Sequence, residues 1–158
     1  MAARLIDGKQ IASDIRNEVK QSIAVRMRDG LPVPGLATVL VGEDPASKVY
    51  VRNKQKACAE VGINSFGKNL SEDATQAEVE DLVWQLNADP AVDGILMQLP
   101  LPKHLDEESV LSAINLPKDV DGFHPVNIGR LAQKGREPLF VPCTPAGIMV
   151  LLEKAGAQ

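Results

Sequence analysis

The stretch Leu36-Ala37-Thr38-Val39-Leu40-Val41-Gly42-Glu43-Asp44-Pro45 decides the fold. Its first six residues are apolar and rich in β-branching, which is the composition of a strand buried on both faces. Asp44 then offers an N-cap and Pro45 the first helical position. The strand therefore turns directly into a helix, predicted to run to about Val61 and to be closed by Gly62.

The same alternation continues on both sides of this unit. Upstream, Ile11, Ile15, Val19, Ile23 and Met27 recur at four-residue spacing and predict an amphipathic helix over 9–28, ended by Gly30 and Pro32. Downstream, 63–70 reads as a weaker strand. Thr75 and Glu78 form a capping box ahead of a stripe of Val79, Leu82, Val83 and Leu86. Gly94–Leu99 is a second buried strand, stopped by Pro100 and Pro102, and a short helix is expected over 105–115. Residues 116–142 are rich in Pro and Gly and read as a long irregular segment, a feature that is usually functional inside a compact domain. Thr144 and Pro145 open a last helix, predicted to reach Ala155.

Strands alternating with helices imply right-handed crossovers and a mainly parallel sheet. The expected fold class is thus α/β, a three-layer domain with helices on both sides of the sheet. Ligands of such sheets sit beyond the carboxyl ends of the strands.

Composition narrows the function classes. With 158 residues, 44% hydrophobic and 24% charged, the chain can bury a real core. A net charge of −4 gives no footprint for nucleic acid. No apolar run is long enough for a membrane helix, and Met1–Gly8 lacks an apolar signal core, so a soluble cytoplasmic protein is expected. Two cysteines, Cys58 and Cys143, are too few for a disulfide framework. No His/Cys/Asp/Glu cluster has zinc-ligand spacing, and no Gly-x-Gly-x-x-Gly or Walker loop is present.

Three places carry candidate chemistry. Tyr50 and Lys54 lie one helical turn apart, on a predicted line with Ala46, Ala57 and Val61, away from Lys48, Arg52 and Lys56. A lysine held against apolar surface loses solvation, which favours its neutral form and suits it to acid–base work. The alternative is a snorkelling surface lysine. Gln98 ends a buried strand, where its amide needs a partner: either loop backbone or Lys54 and a ligand. Asp121, in Lys118-Asp-Val-Asp-Gly-Phe-His124, is either an Asx turn or a carboxylate that pairs with adjacent N–H donors of an amino-pyrimidine. A calcium loop is excluded because its twelve-residue ligand pattern is missing. His104 is expected at the surface, His124 in a structural role, Trp84 in partial core, and Cys58 as buried filler. Cys143 opens a helix, with nothing nearby to complete a nucleophilic triad.

Four motifs taken together resemble one family. They are Val41-Gly-Glu-Asp-Pro-Ala-Ser-Lys-Val-Tyr-Val-Arg-Asn-Lys-Gln-Lys-Ala-Cys58, Asp93-Gly-Ile-Leu-Met-Gln-Leu-Pro-Leu-Pro102, Lys118–His124 and Pro142-Cys-Thr-Pro-Ala-Gly147, with Asn127-Ile-Gly-Arg-Leu131 between the last two. In this order they are similar to the bifunctional methylenetetrahydrofolate dehydrogenase/methenyltetrahydrofolate cyclohydrolases. The resemblance implies that Lys54 is the central catalytic residue, that Tyr50 stacks on the folate rings, that Gln98 hydrogen-bonds Lys54 and that Asp121 binds the pterin. It also implies substrate contacts from Met97 and Leu99, and positions near the cleft for Ser47 and Cys143. The expected reaction oxidises 5,10-methylenetetrahydrofolate with NADP, then hydrolyses the product to 10-formyltetrahydrofolate for purine biosynthesis.

In this family a Rossmann-like NADP domain follows. Residues 1–142 are therefore expected to form the folate-binding catalytic domain, and 143–158 the start of a linker helix toward a domain absent from this sequence. A homodimer is expected of the full-length protein, without nucleic-acid or membrane partners. A non-catalytic folate-binding or assembly fragment is the alternative. Short-chain dehydrogenases also use Tyr-x-x-x-Lys, but they require a glycine-rich loop that residues 1–40 lack.

Overall fold

The computed structural model describes residues 5–156; the outer ends of the two expected segments, 1–4 and 157–158, lie outside the described residues. Its elements alternate as expected: α1 (Gly8–Arg28), β1 (Gly35–Val41), α2 (Pro45–Val61), β2 (Asn64–Leu70), α3 (Gln76–Ala88), β3 (Gly94–Met97) and α4 (Glu107–Ala113). A 3-10 turn at Leu116–Lys118 follows, then α5 (Pro125–Leu131) and α6 (Cys143–Ala155).

The strands form one parallel sheet in the order β2-β1-β3. Leu36 is in register with Ser65 on one side and Gly94 on the other. Asp93 clamps the start of β1: its Oδ2 accepts from the Gly35 amide at 2.8 Å, and its own amide donates to the Gly35 carbonyl at 2.8 Å. Beyond β3 the pairing lasts one more bond, from the Gln98 amide to the Val39 carbonyl. The strand thus stops two residues earlier than predicted, and a cis Leu99–Pro100 bond follows it.

Side-chain alternation along the strands divides the molecule into layers. Ala37, Val39, Val41, Ile95 and Met97 point to the face covered by Val79, Val83 and Leu86 of α3 and Val110 of α4. The even positions point to α2, where Gln55 Nε2 donates to Thr38 Oγ1 at 3.3 Å. Helices therefore lie on both sides of the sheet.

The caps follow the sequence. Asp44 Oδ2 accepts from the Ser47 amide at 2.7 Å, and Gly62 closes α2 at φ 90°, a left-handed conformation. Thr75 and Glu78 form the reciprocal box.

Three local expectations fail. The α1 stripe is mostly exposed, with only Ile23 buried, because among the described residues the rest of that face has little packed against it. Trp84 is 59% exposed, since the core side of α3 is set by Val79, Val83 and Leu86. The segment 116–142 is not wholly irregular: α5 forms within it, capped by His124, whose Nδ1 accepts from the Val126 amide at 3.1 Å. Pro125 at the first helical position carried that signal. Among the described residues, no helix is long and apolar enough to cross a membrane.

Candidate active site

The site lies on the even face of the sheet, at the carboxyl end of β3. An open cleft of about 540 Å³ is lined by Leu36, Leu96 and Gln98 from the sheet and by Tyr50, Lys54, Ala57 and Cys58 from α2. Asp121, Phe123, Cys143 and Thr144 complete it. The volume is that of a pocket for a small organic ligand.

The centre is a contact between the second helix and the end of the third strand. Lys54 Nζ donates to Gln98 Oε1 at 3.2 Å. The other end of the same amide is committed, because Gln98 Nε2 donates to the Leu99 carbonyl at 2.7 Å. Both partners foreseen for Gln98 are thus present at once. The backbone bond orients the side chain so that its oxygen faces the lysine. Lys54 is half-buried, while Lys48 is drawn away to Glu43.

Lys54 faces the cleft together with Tyr50 and Ala57, away from Lys48, Arg52 and Lys56, as expected, but it lies deeper than Tyr50. The buried positions of α2 are Ser47, Val51, Cys58 and Val61. Lys54 falls within that arc; Ala46 and Tyr50 lie at its solvent edge, with Tyr50 62% exposed. Tyr50 therefore presents its ring along the open rim, where a flat ligand can lie against it.

Other expected residues divide by strand parity. Leu96 and Gln98 line the cleft; Met97, on the opposite face, is 2% exposed in the hydrophobic core. The side-chain period of two excludes Met97 from the cleft that its neighbours line. Leu99 packs against the same core, and only its carbonyl serves the site, as the acceptor for Gln98. Ser47 is 4% exposed on the first turn of α2, under the helix and not in the cleft lining.

Asp121 and Cys143 meet on the far wall. Cys143 is exposed as a residue, but its Sγ stands at the cleft wall, 3.7 Å from the Val120 carbonyl. Burial first, then the hydrogen bond and negative charge of Asp121, push this thiol up from its usual range; the charge of Lys54 opposes them. A thiol so held is a poor nucleophile, in keeping with the missing triad.

Two residues outside the expected set hold this wall. Asp119, 1% exposed, bridges to Ile95 beside β3. Its Oδ1 accepts from the Phe123 amide at 3.2 Å, and its Oδ2 from the His124 amide at 2.9 Å and from Asn127 Nδ2 at 2.7 Å. Asn127 is fully buried, and its Oδ1 accepts from the Leu139 amide at 2.9 Å.

Comparison with known proteins agrees with this geometry. A family model described as the catalytic domain of tetrahydrofolate dehydrogenase/cyclohydrolase matches residues 6–121. A curated relative, bifunctional protein FolD 2 of Arabidopsis thaliana, is 53% identical over 156 residues, 99% of this chain and 52% of that protein. The crystal structure of the FolD enzyme of Campylobacter jejuni superposes with a TM-score of 0.90 at 43% identity, over 98% of this chain and 54% of that one. The Trypanosoma brucei FolD structure, solved with NADP cofactor and an inhibitor, gives 0.94 at 39%, over 99% and 54%. The chain spans about half the length of the relatives it matches. By family match, sequence identity and superposition alike, this chain belongs to the tetrahydrofolate dehydrogenase/cyclohydrolase family.

Proposed function

We propose that the protein of which this chain is a part oxidises 5,10-methylenetetrahydrofolate to the 5,10-methenyl cation and hydrolyses that cation to 10-formyltetrahydrofolate. The observation that carries the reading is the Lys54–Gln98 contact at 3.2 Å, inside a cleft that also holds Tyr50 and Asp121.

The described residues act on the folate side. A bound NADP would supply the hydride acceptor; no glycine-rich pyrophosphate turn occurs in this sequence to hold it. Tyr50 offers a π face on which a delocalised cation is stabilised. Asp121 supplies acceptors for the amino-pyrimidine N–H groups. Gln98 Oε1 takes one N–H of Lys54 and so directs the amine. During hydrolysis water adds to the methenyl carbon as the amine takes one of its protons; the carbinol so formed then loses its O–H proton as the carbonyl forms, the N5–C bond breaks, and N5 leaves with a proton, which opens the ring.

The compartment we propose is the cytoplasm, supported by two free thiols, and the assembly a homodimer, supported by the family resemblance alone. The pathway is one-carbon folate metabolism, with purine biosynthesis as the proposed consumer. The reading is tested with Lys54→Met in the full-length protein. Cyclohydrolase turnover is expected to fall by about 10²–10⁴-fold, the contribution of a positioned acid–base group, with folate binding retained. Undiminished cyclohydrolase turnover would falsify it.

A further inference from the structure

We infer that the buried Asp119–Asn127 pair is the positioning device that holds Asp121 at the folate cleft, an inference that rests on the proposed folate chemistry. Asp121 itself makes no hydrogen bond to the loop that carries it among the contacts described above. Its place is set from below. Asp119 is anchored to the sheet by the bridge to Ile95, and its carboxylate gathers the Phe123 and His124 amides, which lie just beyond Asp121 in the chain.

The loop 119–124 therefore closes over its own first residue, with Asp121 at the crown and Gly122 at φ 73° behind it. A side chain at Gly122 would meet Pro142 N and Val141 C at 2.7 Å, so the crown is pressed against the strand of chain leading to Cys143. Asn127 ties that same stretch down through the Leu139 amide. One buried carboxylate and one buried amide thus set both the residue that pairs with the ligand and the wall behind it. Helix α2 supplies the lysine and the sheet end its glutamine partner; this pair sets the place of the carboxylate across from them.

Because Asp119 acts through Asp121, its loss matters to catalysis only while Asp121 is present. The test is a double-mutant cycle in the full-length enzyme, with kcat and KM for methylenetetrahydrofolate read separately. Asp119→Asn keeps the size but turns an acceptor into a donor facing the Phe123 or His124 amide. We expect KM to rise about tenfold with kcat within about twofold, as loss of a charge-assisted bond predicts. On an Asp121→Ala background the same change is expected to move KM by less than about twofold. An equal factor in both backgrounds, or an unchanged KM in the first, overturns the proposal.

Should Asp119→Asn fail to fold, Asn127→Asp enters the same cycle under the same criteria, placing carboxylate against carboxylate at the 2.7 Å contact. Amide exchange gives a readout that needs no folate: Phe123 and His124 should lose protection while the β1 amides keep theirs. An unchanged pattern at Phe123 and His124 also overturns the inference. A wild-type enzyme that binds no folate, with those two amides still exposed by the variant, would instead count against the proposed function.

Discussion

On one face of the sheet Ala37, Val39, Val41, Ile95 and Met97 pack under α3 and α4 with almost no exposure; on the other, Leu36, Leu96 and Gln98 look into an open cleft. Both sets come from the same strands, one residue apart. The closed face is apolar throughout and contributes stability by removing surface from water. The open face carries polar groups, each held by a partner: Thr38 in mid-strand by Gln55, and Gln98 at the end of β3 by Lys54 and the Leu99 carbonyl. A doubly wound sheet thus spends one parity on folding and leaves the other for chemistry.

The sharpest way to break this comparison is to excavate the closed face. Ile95→Ala, at a fully buried position, should cost about 2–5 kcal/mol in denaturant unfolding of the full-length protein, while folate KM changes little in the fraction that remains folded. A cost below about 1 kcal/mol would mean that the two faces are not divided as described.

Adjacent residues give the next contrast. Gln98→Leu should cut turnover by about ten- to a hundredfold, because Lys54 loses the acceptor that directs it, with stability changed by roughly 1 kcal/mol or less. Met97→Leu, one residue earlier, should leave turnover within about twofold and cost under about 1.5 kcal/mol. Equal effects on turnover would remove the parity argument.

The third test concerns how the irregular segment joins the closed face. Lys118 Nζ donates to the Leu86 carbonyl at 3.0 Å and the Asp89 carbonyl at 2.9 Å, at the C-terminus of α3. Lys118→Met should therefore destabilise by about 1–2 kcal/mol without changing kcat. A large loss of kcat at unchanged stability would place Lys118 in the site instead.

The smallest effect is a displaced titration on the open face. A thiol raised above its usual range has less thiolate at any given pH, so alkylation of Cys143 should climb only at higher pH than for a free cysteine. Asp121→Asn removes the charge behind part of that rise and should move the alkylation profile toward lower pH. Burial, the larger cause, keeps it above the free-cysteine profile. Superimposable profiles for the two proteins would separate Cys143 from Asp121.

Much of this was legible in the linear chain, and the misses share a cause. Asp44, Pro45, Gly62, Thr75 and Glu78 act within a few residues, so their caps follow from local hydrogen-bonding rules. Lys54 and Gln98 were legible as candidates, but their contact spans 44 positions and only the crossover creates it. The motif points Met97 toward the ligand, whereas the pleat turns it into the core. Asp119 carries no mark of its own beside Asp121, because two aspartates in one loop look alike until one of them is buried.

By itself, then, the order of residues determined the element types, the parallel sheet and the family, since periodicity, caps and motifs are properties of neighbours. Only the folded chain decided which side of α2 and of each strand meets solvent, and which aspartate faces the cleft. Those choices depend on what lies opposite, and what lies opposite is brought there by packing distant segments onto one sheet.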